Sequence, residues 1–510
     1  MTRIRKRSGA PTERRPRTRK ERVLRAAALP AAALLLMAGG LTAWSPDSQE
    51  ARPAAEKPPQ KEDFNGDGYA DLVAGAPGGT VAGKEDAGYV AVTYGSAKGL
   101  DPSHKKVVSR STSGVPGPAA AKQEFGTSFS KGDLDGDGYG DLVVGSTDDG
   151  SADSVILWGS SKGLSGGTAI PSYGVTPQIG YFDGDSKADL ALLGYPDPDL
   201  IGDPPAAQPA ALWKGPVSRK GTPAKRLDFL DESEWDGGIL DFLDESKAGE
   251  EDTDGPKSIS GPSMTRAVGD VNGDNRQDIA LWLYYGDGVY DNDVLLGGDS
   301  GFTLTKGPWG DDSSDMDLGD VDGDGYDDLV MNTGDDMEDE ITVAFGTRNG
   351  LSGSRRQTVD QSLDGFPTRH EEGDMGGSCV SVADVTGDGR AEVALGISGK
   401  DVDDAPSGAL VLLHGSKSGV TGTGSQAVDQ SVSGVAEKGQ EFGTSCALLD
   451  VDGDGHRDLN VSATEEDVAT GAVWSLHGTG RGLTTKGATA FGPDDLGAPA
   501  RKAFFGTLVR

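Results

Sequence analysis

Short apolar runs recur along this chain, each entered from a cluster of acidic residues and left through glycine. The first of each pair reads "DLVAGAP" (71–77), "DLVVGST" (141–147), "DLALLGY" (189–195), "DIALWLY" (278–284), "DLVMNTG" (328–334), "EVALGIS" (392–398) and "DLNVSAT" (458–464). A second run follows each and ends in a glycine turn, as in "GYVAVTYGSAKGL" (88–100), "DSVILWGSSKGL" (153–164), "EITVAFGTRNGL" (340–351), "GALVLLHGSKSGV" (408–420) and "GAVWSLHGTGRGL" (471–483). Weaker forms stand at 210–221 and 291–302. Runs this short, rich in β-branched residues and punctuated by glycine, predict buried strands and tight turns rather than helices. More polar segments such as "RQTVDQSLDGF" (356–366) and "SQAVDQSVSGV" (425–435) fit outer, solvent-facing strands. "EFGTSFSKG" (124–132) and "EFGTSCALL" (441–449), just before the acidic clusters, fit inner ones.

The unit is written seven times. Its acidic loops begin at Asp63, Asp133, Tyr181, Asp270, Asp320, Asp384 and Asp450, with spacings of 48 to 89 residues. Four strands per repeat at such a period predict an all-β fold, a seven-bladed β-propeller of four-stranded blades. The first repeat has no inner strand before its loop, and "FFGTLVR" (504–510) has no loop after it. The expectation is that this C-terminal segment completes blade one and closes the ring, removing an open sheet edge. The propeller would occupy residues 63–510, with an acidic insertion at about 227–262 carrying two copies of "LDFLDES" (227–233 and 240–246). The first copy fits an outer strand and the second a surface excursion, a tolerated loop or a partner site.

In each loop, positions 1, 3 and 5 carry oxygen-bearing side chains, position 6 is usually glycine, and position 9 is acidic. Alternate spacing lets three side chains converge, and glycine permits the positive φ that folds the loop back. This is the opening half of an EF-hand-type calcium loop, with its closing carboxylate at position 9 and a strand as its exit. The predicted Ca²⁺ ligands are Asp63, Asn65, Asp67 and Asp71; Asp133, Asp135, Asp137 and Asp141; Asp270, Asn272, Asp274 and Asp278; Asp320, Asp322, Asp324 and Asp328; Asp384, Thr386, Asp388 and Glu392; and Asp450, Asp452, Asp454 and Asp458. Asn275 replaces the glycine of the fourth loop and Thr386 is a weaker third ligand. The third loop, with Tyr181 at position 1 and Ser186 at position 6, is expected to bind weakly or not at all. Turn preference alone would explain one such loop; repetition in register favours calcium. His and Cys are absent from the ligand positions, which disfavours zinc or iron.

Charge sharpens this reading. Residues 1–43 hold 11 of the 47 Lys and Arg and 2 of the 82 Asp and Glu, leaving 36 basic against 80 acidic residues, a formal −44. Such a surface repels nucleic acid and anionic lipid and suits cations. The Arg-rich start followed by "AAALPAAALLLMAGGLTAW" (26–44) has the layout of an export signal, with an uncleaved anchor as the alternative. Residues 44–62 read as a flexible linker. After signal removal no apolar run of spanning length remains.

Phe125-Gly126, Phe442-Gly443 and Phe505-Gly506, the Asp-rich loops, and Gly75-Ala76-Pro77 resemble the FG-GAP repeats of the integrin α-subunit N-terminal propeller. The resemblance covers residues 63–510. It implies a seven-bladed propeller with calcium loops on one face and an extracellular or cell-surface setting. Only the first repeat has a true Gly-Ala-Pro. No leg domains or second apolar span follow within the sequence, so integrin function itself is not implied. The leader and the Ala/Gly-rich composition resemble a secreted actinobacterial member.

Other motifs carry less. "GSSKG" (159–163) fits a nucleophile-elbow pattern, but its equivalents "GSAKG", "GTRNG" and "GTGRG" make Ser161 an interchangeable turn residue. His414 and His477 stand where other repeats place Tyr94, Trp158 and Phe345, a position that wants a flat ring. Cys379 and Cys446 lie on predicted inner strands of adjacent repeats and are either a disulfide or two buried thiols. The function expected is a non-catalytic calcium-binding module for an unknown protein or glycan ligand. A polysaccharide-active hydrolase or lyase, or a purely structural envelope protein, are the alternatives.

Overall fold

The computed structural model describes residues 62–146, 154–170, 176–193, 211–227, 263–286, 289–307, 315–332, 340–370, 374, 376–402, 405–406, 408–429, 431, 441–464 and 470–510. The expected export signal, nearly all of the expected linker and the acidic insertion beyond Leu227 lie outside them. The outer strand of blade three, Lys225–Leu227, contains only the first residue of the first "LDFLDES" copy.

The chain folds as a seven-bladed β-propeller of antiparallel sheets. Blade two shows the plan, running outward from Phe129–Gly132 through Asp141–Val144 and Ser154–Trp158 to Ser165–Ile170. Blades three to seven repeat it from inner strands Thr176–Gly180, Ser263–Gly269, Met316–Gly319, Gly376–Ala383 and Glu441–Leu449. Blade one supplies three strands of its own, Leu72–Ala76, Tyr89–Thr93 and Lys105–Val108. Its fourth comes from the far end of the sequence. Val73 and Arg510 exchange N–H···O bonds of 2.9 and 3.1 Å, Gly75 and Leu508 add one of 2.9 Å, and Ala74 bridges Val509.

The second strands are buried on both faces because every blade is stacked between two others. In blade two Leu142 and Val144 face blade one, while Val143 faces blade three. The core is therefore seven apolar clusters, one at each blade-to-blade seam. The seam between blades seven and one joins Leu449, Val451 and Val473 to Leu72 and Tyr89, with Phe505 and Val509 among them. A seam there as full as the others is what closure requires.

Cys379 and Cys446 are bonded to each other, both fully buried. The one-residue offset between them turns the two side chains to opposite faces of their strands, so that they meet in the seam between blades six and seven; the pairing is irregular between Gly376 and Val380 and between Phe442 and Cys446. Side chains also tie neighbouring inner strands. Ser130, Asp317, Ser381 and Ser445 accept from the backbone N–H of Ile179, Val382, Leu448 and Val509. Near the axis the Arg510 guanidinium reaches Asp315 of blade five at 3.9 Å. Among the described residues no helix is long and apolar enough to cross a membrane.

Candidate metal centre

The loops of blades one, two, four, five, six and seven fold in the same way, and the position 1 carboxylate organises each. In loop one, Asp63 Oδ1 accepts from Gly66 N at 2.6 Å and Asp67 N at 3.3 Å, and Oδ2 accepts from Gly68 N at 2.7 Å. Asp133, Asp270, Asp320 and Asp384 make the same three bonds, and Asp450 makes the first and third. The path needs positive φ at positions 4 and 6, +74° at Gly66 and +94° at Gly68. Asn275 and Ser186 take it at position 6 with φ of 65° and 64°. At position 3, Asn65, Asp135, Asn272, Asp322 and Asp452 each accept from the position 5 N–H. At position 5, Asp67, Asp137, Asp274, Asp324, Asp388 and Asp454 accept from the position 7 N–H. The second oxygen of several of these aspartates faces another group: Asp67 Oδ2 accepts from Asn65 Nδ2 at 2.9 Å, and Asp135, Asp137, Asp274 and Asp322 accept from arginines.

Position 9 is the floor. Asp71, Asp141, Asp278, Asp328 and Asp458 are fully buried, and Glu392 is 1% exposed. Asp71 Oδ2 accepts from Phe64 N at 2.8 Å and Oδ1 from Gly95 N at 3.0 Å, which pins the loop to the following glycine turn. The other four aspartates do the same. Glu392, one carbon longer, accepts from Val385 N and Thr386 N instead, and Thr386 Oγ1 lies 3.4 Å from its other oxygen. Burial pushes the five aspartates upward against the pull of the N–H groups, to about 7 for Asp71 and Asp141, about 8 for Asp278, about 9 for Asp328 and about 6 for Asp458.

Three carboxylates lie within 4.8 Å of one another in loop two (Asp133, Asp135, Asp141), loop five (Asp320, Asp322, Asp328) and loop seven (Asp450, Asp452, Asp454). Oxygens bound to one Ca²⁺ at ~2.3–2.6 Å are at most about 5 Å apart, so this convergence fits a single ion. The donors are hard oxygens, which suits a hard cation. Loops one and four, with Asn65 and Asn272 at position 3, share the backbone path, as does loop six with Thr386.

Protein cations also reach the loops, and the sequence pattern did not reveal them. Arg219, from the outer turn of blade three, holds Asp135 and Asp137 of loop two at 2.6 Å each, its guanidinium 5.6 Å from the Trp158 ring. Arg355 lies 2.5 Å from Asp322 and 3.9 Å from the Phe345 ring centre. Arg276 pairs with Asp274, and Arg390 with Asp388. The two histidines read as packing rings also face acidic groups. His414 Nδ1 is 3.1 Å from Glu392, and His477 Nδ1 is 2.9 Å from Asp452 and 3.5 Å from Asp458, off the hydrogen-bonding direction. The residue before the turn glycine thus looks into the loop, which one signal in the sequence did mark: its change from ring to histidine in the last two blades.

The loops are linked around one rim. The position 8 N–H of one blade donates to the position 1 carbonyl of the blade before it, in Gly140 to Asp63, Gln277 to Tyr181, Asp327 to Asp270, Ala391 to Asp320 and Ala70 to Asp450. The last of these crosses from blade one to blade seven. Tyr139, Tyr326 and Tyr69, at position 7, cover the position 4 glycines Gly66, Gly273 and Gly453 so closely that a Cβ there would strike the ring.

With this geometry in view, the matches to known proteins are specific. The FG-GAP repeat family model matches residues 62–93, 125–158 and 442–476, the loops and adjoining strands of blades one, two and seven. The chain carries FG-GAP repeats at these three places, within a seven-bladed propeller, and is similar to integrin α subunits. It is 38% identical to integrin alpha-PS5 of Drosophila melanogaster over 104 residues, 20% of this chain and 10% of that protein. With integrin alpha-PS2 of the same organism it shares 29% identity over 226 residues, 41% of this chain and 16% of that one. A phosphatidylinositol-glycan-specific phospholipase D of Rattus norvegicus is 29% identical over 184 residues, 34% of this chain and 22% of the enzyme. The FG-GAP propeller therefore matches less than a quarter of the length of each of these relatives.

Proposed function

We propose that this FG-GAP propeller is an exported, calcium-stabilised binding module without catalytic activity of its own, presenting its rim and faces to a protein or carbohydrate ligand. The observation that carries the reading is the convergence of three carboxylates within 4.8 Å in loops two, five and seven. Calcium would be held by the side chains at positions 1, 3, 5 and 9 of loops one, two, four, five, six and seven. It supplies the positive charge that buried position 9 carboxyls lack. The chain's own groups do the rest: N–H groups orient each carboxylate, glycine folds the loop, and the next blade fixes its first carbonyl. The Arg-rich leader at 1–43 and the formal −44 of the remainder support export and repulsion from nucleic acid.

Native mass spectrometry of residues 44–510 should find several calcium ions, and Asp454→Ala should carry one fewer. A cation bound only by the folded state adds about 2.7 kcal/mol per site at a hundredfold excess over Kd, so chelator should lower Tm clearly. A native spectrum free of divalent metal refutes the calcium reading. A glycan array and a panel of esterase, phosphodiesterase and glycosidase substrates address the ligand, with the phospholipase match motivating the phosphodiester arm. Turnover abolished by one substitution outside the loops would replace the binding module with an enzyme.

A further inference from the structure

Loop three departs from its neighbours in a way that goes beyond the missing aspartate at position 1. Blades one, two, five, six and seven place Tyr94, Trp158, Phe345, His414 and His477 before the turn glycine. Blade three places Lys214 there. Its Nζ lies 2.7 Å from Asp183 Oδ2 at position 3 and donates to Asp299 O at 2.6 Å, with the lysine and aspartate side chains 13% and 8% exposed. Asp189 still forms the floor, accepting from Phe182 N at 3.2 Å and Gly215 N at 2.8 Å, as in the other blades. Tyr181, at position 1, has left the loop to join the seam between blades two and three. Arg276 of blade four packs over Gly184 and donates to Asp183 O at 3.4 Å. The loop keeps its fold and its link to blade four, yet an ammonium stands against Asp183 at position 3, while Asp185 at position 5 pairs with the exposed Lys187 at 3.3 Å. These residues do not fit a divalent cation.

We propose that Lys214 is a built-in counter-ion that takes the place of the metal in loop three, so that blade three holds its shape without calcium. The inference rests on the calcium reading of the other loops. A primary amine carries one charge and three donors, enough for Asp183 and the Asp299 carbonyl. A partly buried aspartate robbed of it would be left uncompensated.

Three variants test this by thermal unfolding and native mass spectrometry. Lys214→Met should lower Tm by the same amount in calcium and in chelator, because the pair it breaks involves no metal. No loss in chelator overturns the proposal. Asp183→Asn should leave the number of bound calcium ions unchanged, whereas loss of one ion means loop three already binds metal and overturns it. Tyr181→Asp combined with Lys214→Tyr restores the pattern of the other loops and should bind one calcium more than wild type. A folded double variant with an unchanged count is again contrary. If wild type carries no calcium at all, the reading of the other loops falls, while the Lys214→Met loss in chelator stands or falls by itself.

Discussion

Replacing both cysteines, Cys379→Ala with Cys446→Ala, isolates the cross-link between blades six and seven. The bond spans 67 positions, and both residues are fully buried in the apolar seam between those blades, so alanine introduces no buried polar atom. Joining two points that far apart removes chain entropy from the unfolded state by about 15 cal/mol/K, worth about 4.4 kcal/mol at 25 °C. Spread over the roughly 450 residues from 63 to 510, with an unfolding entropy of about 2 cal/mol/K per residue, this corresponds to a Tm lower by about 5 °C. Calorimetry of the double variant, the oxidised wild type and the wild type reduced with thiol would measure it at saturating calcium, which keeps the loops constant. The reduced wild type and the variant should unfold together, both below the oxidised protein. A variant within about 1 °C of oxidised wild type would refute the argument. It would mean that the ring restrains blades six and seven enough without the bond.

Other consequences can be checked with single substitutions. Burial raises the Asp317 carboxyl to about 6, with Arg510 drawing it back only in part. Its folded value lies above that of an unfolded aspartate, so its contribution to stability is complete below about pH 4 and is lost as pH rises through 6. In chelator, the stability of Asp317→Asn relative to wild type should therefore improve between pH 4 and pH 8 by up to about 3 kcal/mol, and a constant difference would contradict this. Gly471 has φ of +80°, and a Cβ there would strike the carbonyl of Phe505 in the closing segment. Gly471→Ala should destabilise by roughly 2 kcal/mol or more in denaturant titration, and a neutral result would argue that the segment is not held where it lies.

Much of this was legible because propeller physics repeats itself in sequence. Alternating burial between two seams forces near-continuous apolar second strands, and Phe505-Gly506 could be matched to Phe442-Gly443 because both pack in equivalent seams. The acidic loops were readable for the same reason, since their backbone path demands glycine or asparagine at fixed positions. What escaped notice occurs once or comes from far away. Arg219 reaches Asp135 across 84 positions from another blade, and no local pattern predicts where a flexible guanidinium will land. Lys214 lies within the weaker repeat at 210–221, and the inward aim of its position appears only in three dimensions. The cysteine pair stayed open because the one-residue offset lets the two side chains face each other across a seam but does not distinguish a bond from two buried thiols.

Blade one is assembled from segments 435 positions apart, as Ala74 meets Val509. During synthesis the strand Leu72–Ala76 must wait, its inner edge bare, until Leu508–Arg510 have emerged. Contacts of such long range form slowly, and an unpaired strand invites pairing with a second molecule. Completion of blade one is thus gated by residues 508–510. A truncated copy would be left with a sticky margin rather than merely a shorter ring.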